Sequence, residues 1–102
     1  MTLRQRQSKF ASMVSLLIAF AYEQEYEVTF GDAWAHDGHK KGSFHYDRLA
    51  VDLNLFKNGR YLSSTASHRP LGEFWESLGG TWGGRFTDPP DGNHYSYGEN
   101  RK

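Results

Sequence analysis

The sequence of 102 residues lacks cysteine, a net charge and a long hydrophobic run, and each absence excludes a class of protein. Without cysteine the chain forms neither a disulfide framework nor a zinc site built from thiolates. Twelve Lys and Arg balance twelve Asp and Glu, so no long-range positive field attracts nucleic acid, and we expect no such partner. The most apolar stretch, residues 10–21, is far shorter than the roughly 20 residues of a bilayer span. We therefore expect no stable membrane anchor.

What the sequence does contain is enough apolar material for one compact domain. Hydrophobic residues make up 37% of the chain, and three Trp, six Tyr and seven Phe supply large side chains that disordered chains lack. No internal repeat or linker divides the sequence, so we expect residues 1–102 to form a single domain and a monomer. A domain this small depends on its core or on a bound metal, and five histidines make a metal site plausible.

The N-terminal segment has two interpretations. Its apolar residues recur at helical spacing, which predicts an amphipathic helix over about residues 3–24 that faces a core. These residues are Phe10, Met13, Val14, Leu17, Ile18 and Ala21. The alternative is a secretory signal peptide, because three basic residues precede the apolar stretch and Ala19-Phe20-Ala21 resembles a cleavage site. We favour the helix, since the polar residues fall largely off the apolar stripe.

The rest of the chain favours short strands and one more helix. Alternating apolar and polar residues predict strands over residues 26–30 and 49–56, and Asn58-Gly59 predicts a hairpin that returns through residues 60–63. In the second strand the leucines share one face, which leaves Asp52 on the other. Pro70 and Gly79-Gly80 delimit a second helix, and residues 94–97 form the one strand predicted in the tail. We expect an α+β fold with two helices packed on a small antiparallel sheet.

Two histidines and two carboxylates lie at strand and loop positions, and together they match the ligand needs of a catalytic zinc ion. These residues are His45, Asp52, Asp91 and His94. Two imidazoles and one carboxylate suffice to hold zinc with an open fourth position, and the other carboxylate can serve as a general base. Two alternatives stay open: a cluster of His36, His39 and His45, and Asp88 in place of Asp91 as the base.

The sequence around these residues resembles the LAS-type zinc peptidases, which comprise D-alanyl-D-alanine carboxypeptidases and phage L-alanyl-D-glutamate endopeptidases. Their first motif, S-x-H-x-x-G-x-A-x-D-L, is matched at Ser43, His45, Ala50, Asp52 and Leu53, with Arg48 in place of the glycine. Their second motif is matched by Trp82-Gly83-Gly84 and by Asp91, His94 and Tyr95. The resemblance covers about residues 26–97, and the N-terminal helix looks like the one that opens short phage members.

The resemblance implies a fold similar to the hedgehog and DD-peptidase group, a zinc cofactor and roles for individual residues. It makes His45, Asp52 and His94 the zinc ligands and Asp91 the general base that takes a proton from the attacking water. We expect Ser43, Arg48, Trp82 and Arg85 to contact the substrate. The implied partner is the peptidoglycan stem peptide.

The sequence departs from the family before the first motif, where an arginine usually follows the strand. Residues 31–36 read GDAWAH and contain no arginine. Because an oxyanion donor contributes about two to three powers of ten in rate, another group must supply this charge in an active enzyme. The candidates are Arg48, Arg85, His36, Lys40 and Lys41.

We expect a zinc-dependent peptidoglycan peptidase of the phage endolysin type. It would cleave the L-Ala-D-Glu bond in preference to acting as a D-Ala-D-Ala carboxypeptidase. Such an enzyme is made in the host cytoplasm and reaches the cell wall after the membrane is permeabilised. The competing hypothesis is a non-catalytic zinc-containing wall-binding or phage structural module.

Overall fold

The computed structural model describes residues 1–31 and 47–98, and in these ranges two helices pack on a five-stranded antiparallel sheet. The α+β fold predicted from the sequence is therefore confirmed. The helices are α1 (Leu3–Glu23) and α2 (Arg69–Ser77). The strands are β1 (Glu27–Phe30), β2 (Ala50–Lys57), β3 (Arg60–Leu62), β4 (Thr81–Trp82) and β5 (His94–Ser96). Two 3₁₀ turns, Ala66–His68 and Gly83–Arg85, precede α2 and follow β4.

Strand β2 is the centre of the sheet. Strand β1 pairs with one edge of β2, while β3 and β5 pair with the two halves of its other edge, and β4 lies beyond β5. Asn58 and Gly59 both have positive φ, at 54° and 77°, which is the backbone that a two-residue type I′ hairpin requires. The hairpin predicted from the Asn-Gly pair thus joins β2 to β3.

Helix α1 covers the sheet through the stripe that the sequence predicts. Phe10, Met13, Leu17 and Ala21 are buried, and a reciprocal hydrogen-bonded cap between Thr2 and Gln5 begins the helix. Neither of the two described helices combines the length and the hydropathy that crossing a bilayer requires. The four buried side chains of α1 belong to the hydrophobic core of the domain.

Helix α2 fixes the position of β5. Trp75 is fully buried, with its ring edge-on to Phe10 at 5.8 Å and to Tyr95 at 6.0 Å between ring centroids. Its indole Nε1 donates a hydrogen bond of 2.9 Å to the carbonyl of Ser96. Since aromatic residues bury large apolar areas, this contact anchors β5 from the core side.

Strand β4 is the one described strand that the sequence does not predict. Thr81 and Trp82 are too few to show an alternating pattern, and they adopt an extended conformation by pairing with Ser96 and Tyr95 of β5. The tail therefore contributes two adjacent strands rather than one, and β5 has a partner on each edge.

Candidate metal centre

Three side chains that can ligate a metal converge at the junction of β2 and β5. They are Asp52, Asp91 and His94, and each offers one ligand atom such that all three atoms lie within 4.8 Å of one another. Asp52 and His94 are direct partners in the antiparallel register, so their side chains emerge side by side on one face of the sheet. The sequence places them 42 residues apart, and strand pairing brings them together.

Asp91 joins the cluster through the turn that leads into β5. Its backbone N–H donates to the carbonyl of Gly83 at 2.8 Å, and its carbonyl accepts from the N–H of His94 at 3.2 Å. This turn explains the spacing of three residues in the motif, because it brings the Asp91 carboxylate within 4.8 Å of a ligand atom of His94. Asp88, the alternative base in the sequence, is exposed and is not a member of the cluster.

The three side chains differ in their exposure to solvent. His94 is 5% exposed, the Asp52 side chain is 20% exposed, and Asp91 is exposed. The Nδ1 atom of His94 lies 3.6 Å from Oδ1 of Asp52. A sheltered imidazole and a partly buried carboxylate therefore lie close to a second carboxylate that is exposed to solvent.

The chemistry of this donor set fits a zinc ion. Imidazole nitrogen and carboxylate oxygen bind zinc at about 2.0–2.2 Å, and two such ligands at a tetrahedral angle are about 3.4 Å apart. The observed 3.6 Å between His94 and Asp52 is close to this separation and is too long for a hydrogen bond. His45 and Ser43, which the family motif adds to the site, lie outside the described residues, as do His36, His39, Lys40 and Lys41.

The Trp-Gly-Gly stretch holds the turn that carries Asp91. A Cβ atom on Gly83 would overlap the carbonyl oxygen of Asp91 and crowd the Cβ of His94, so only glycine permits this close approach. Trp82 is 2% exposed, and its Nε1 donates a hydrogen bond of 2.8 Å to the carbonyl of Gly92. The family motif predicts that Trp82 contacts substrate, but its side chain is buried and supports the loop from the core.

Arg85, the second expected substrate contact in this region, forms an ion pair with α2. Its Nε and one terminal nitrogen each lie 3.0 Å from a carboxylate oxygen of Glu76, and its guanidinium lies over the Trp82 ring. The hydrogen bond and the charge of Glu76 raise the pKa of Arg85 above its usual value. A substrate carboxylate would have to compete with Glu76 for this group.

Arg48 occupies the motif position that is glycine in the family. Its φ is 59°, in the left-handed region where an L-residue costs about 1 kcal/mol and glycine costs nothing. The backbone requirement thus explains the glycine of the motif. Arg48 also lines a cavity of about 470 Å³ between α1 and the face of the sheet that carries Val51. No member of the metal cluster lines this cavity.

His68 has a place in the structure that the sequence did not indicate. The sequence suggests only a residue that leads into the second helix, but His68 is 2% exposed and its Nδ1 lies 2.8 Å from the hydroxyl of Tyr95. Burial lowers the pKa of His68 from 6.5 to about 4 and raises that of Tyr95. No periodicity marks this contact in the sequence, because it joins residues 27 positions apart.

Comparison with known proteins identifies the family. A family model described as D-alanyl-D-alanine carboxypeptidase matches residues 37–97, which is more than half of the chain and includes the whole cluster. No curated protein matches the chain. The family is zinc-dependent in general, in agreement with the donor set found at the junction of β2 and β5. The chain therefore belongs to the D-alanyl-D-alanine carboxypeptidase family of the LAS type, whose members are peptidases that act on peptidoglycan.

Proposed function

We propose that this protein is a zinc-dependent peptidase that hydrolyses a bond in the peptidoglycan stem peptide. One observation carries the proposal: Asp52, Asp91 and His94 occupy the positions of the two family motifs and present their ligand atoms within 4.8 Å of one another. Because these residues lie far apart in the sequence, their convergence is a property of the fold.

The residues that would hold zinc are His45, Asp52 and His94. Two imidazoles and one carboxylate are a common ligand set of catalytic zinc sites, and this set leaves a position open. When bound, zinc would lower the pKa of a water ligand to about 7 and polarise the scissile carbonyl.

Asp91 moves the protons of the reaction. Its carboxylate is exposed next to His94 and Asp52, so it can accept a proton from the attacking water at one of its oxygens. The same carboxyl then donates that proton to the leaving amine, and the carboxylate is regenerated. Peptide hydrolysis in this way needs no covalent intermediate with the protein.

Ser43 and Arg85 are proposed to contact the substrate, whereas Arg48 lines the cavity on the Val51 face of the sheet and is not proposed as a contact. Arg85 directly follows the Trp-Gly-Gly stretch and is hydrogen-bonded to Glu76. If its guanidinium separates from Glu76, it supplies a positive charge for a substrate carboxylate. Trp82 acts in this proposal through the loop that it supports, since its own side chain is buried.

Of the two activities in the family, we propose the L-Ala-D-Glu endopeptidase of phage endolysins. The support is the resemblance of the N-terminal helix to the one that opens short phage members. In this proposal residues 1–102 act as a single monomeric domain. The enzyme is made in the host cytoplasm and degrades the wall once the membrane is permeabilised.

The cleaved bond is tested with a synthetic stem peptide that contains both candidate bonds. We expect mass spectrometry to find a product with a new N-terminal D-Glu, and no released D-Ala. Addition of a strong chelator should stop the reaction, and a stoichiometric amount of zinc should restore it. Release of D-Ala alone would instead identify a carboxypeptidase and contradict the proposed bond.

A second candidate function is a non-catalytic wall-binding or phage structural module that retains zinc. Two observations favour it: residues 31–36 contain no arginine, and Arg85 is held by Glu76. Zinc-loaded protein that sediments with purified peptidoglycan but releases no new amino groups would support this candidate and contradict the peptidase.

A further inference from the structure

The turn that precedes α2 directs a buried polar side chain away from its own helix. Hydrogen bonds from Ser67 N–H to Ser64 and from His68 N–H to Thr65 form this turn, which ends at the first residue of α2. His68 stands at the N-cap position of α2, yet its side chain makes no capping hydrogen bond within the described residues. A residue at this position ordinarily satisfies a free N–H of the helix. The imidazole of His68 instead makes a hydrogen bond to another part of the chain.

That contact is the hydrogen bond between His68 Nδ1 and the hydroxyl of Tyr95, at 2.8 Å. His68 is 2% exposed and Tyr95 is fully buried, so each group would lose hydration without compensation if the other were absent. The pair therefore favours the arrangement of the two rings that keeps this hydrogen bond. Trp75, edge-on to Tyr95 at 6.0 Å, restricts the tyrosine ring from a second direction.

Tyr95 is the residue that follows the proposed ligand His94 in β5. Successive side chains of a strand point to opposite faces, so Tyr95 enters the core where His94 faces the metal cluster. Val51 and Trp82 flank Tyr95 on the neighbouring strands. A restraint on the hydroxyl of Tyr95 therefore adds to the strand pairing that sets the rotation of β5 about its axis, on which the direction of the His94 imidazole depends.

The same turn meets the Asp91 loop at a second point. A Cβ atom on Gly92 would lie 2.5 Å from the Cα of Thr65, so the two backbones are in direct contact. Gly92 lies between Asp91 and His94, and its carbonyl accepts the hydrogen bond from Trp82. The turn before α2 consequently touches the metal-binding segment on both sides of His94.

We propose that His68 is a positioning residue for the metal site, which acts through Tyr95 to aim His94. This inference rests on the proposed function and goes beyond it, because it assigns a role to a residue outside the family motifs and outside the cluster. The polar contact lies on the core side of the sheet, so His68 touches neither substrate nor metal.

The test removes the Tyr95 hydroxyl and leaves its ring in place. For the zinc-loaded Tyr95→Phe protein we expect about a tenfold weaker zinc affinity, measured by competition with a chelator, in the range known for supporting residues of metal ligands. We also expect a lower kcat with KM changed less than twofold, and an altered visible spectrum of the Co²⁺-substituted protein. His68→Asn, which places a polar atom near the position of Nδ1, should restore most of the affinity that His68→Leu loses.

Tyr61→Phe is the matched control, because it removes the hydroxyl of a tyrosine that is 58% exposed at the far end of the sheet. Wild-type zinc affinity and Co²⁺ spectrum in Tyr95→Phe, beside any loss of stability, would show a purely structural contact and overturn the inference while the proposed function stands. A wild-type chain that binds no zinc would overturn both. His68→Leu with wild-type zinc affinity would likewise overturn the inference.

Discussion

Asp91→Asn is expected to lower the rate of peptide-bond cleavage by about 10³-fold and to leave the zinc content of the protein unchanged. An amide of the same shape cannot accept the proton of the attacking water, and general-base catalysis contributes about 10²–10⁴ to enzymatic rates. The turn should be preserved, since the backbone N–H and carbonyl of Asp91 make its hydrogen bonds to Gly83 and His94. The measurement is kcat on a stem peptide together with metal analysis of the same sample.

Asp88→Asn is the matched control for this prediction. Asp88 is an exposed carboxylate three residues earlier in the same loop, outside the metal cluster, and its replacement should leave kcat within about twofold of wild type. If Asp91→Asn loses its zinc, then Asp91 is a ligand rather than the base. If it retains both zinc and activity, another group moves the proton.

Acid is expected to destabilise the protein through the buried His68. The native state holds His68 neutral with a pKa of about 4, whereas the unfolded chain takes up a proton below pH 6.5. Stability from this group is therefore fully present above pH 6.5, falls as the pH is lowered to about 4, and does not fall further below that. The pKa difference corresponds to about 3 kcal/mol in total, and about 2 kcal/mol of it is lost at pH 5.

The measurement for this prediction is the free energy of unfolding at pH 7 and pH 5 from denaturant titrations. His68→Asn is the reference, because it keeps a polar partner for Tyr95 and has no titrating group at this position. Wild type should lose about 2 kcal/mol more than His68→Asn between the two pH values. Equal losses in the two proteins would show that His68 is protonated in the native state or is not buried in solution.

The sequence predicts the helices, strands and turns whose residues repeat in a local pattern. The stripe of α1 is visible because its buried residues recur at helical spacing, and β2 is visible because Leu53 and Leu55 alternate with Asp52 and Asn54. Asn58-Gly59 specifies its turn through the positive φ that it permits. Strand β4 has no such pattern, since its two residues become a strand only through β5.

The candidate site is partly predictable, because the family motifs identify the residues that could form it. The structure shows which of these side chains lie close together. Asp52, Asp91 and His94 bring their ligand atoms within 4.8 Å of one another. Trp82 belongs to the same motif as Asp91 and His94, but it supports their loop from the core. Sequence spacing does not distinguish such a supporting residue from one that contacts a ligand. The sequence does not predict the buried position of His68, because His68 lies outside both motifs. Its partner Tyr95 is determined by the packing of the 3₁₀ turn against β5.

The most direct test of the account is the zinc content of the purified protein, compared among wild type, His94→Ala and Asn54→Ala. Asn54 lies two residues from Asp52 on the same face of β2 and donates a hydrogen bond to Thr29, so it controls for a change near the site that removes no ligand. We expect one zinc per chain in wild type and in Asn54→Ala, and neither zinc nor cleavage in His94→Ala. Zinc retained by His94→Ala, or absent from wild type, would contradict the metal centre at the junction of β2 and β5.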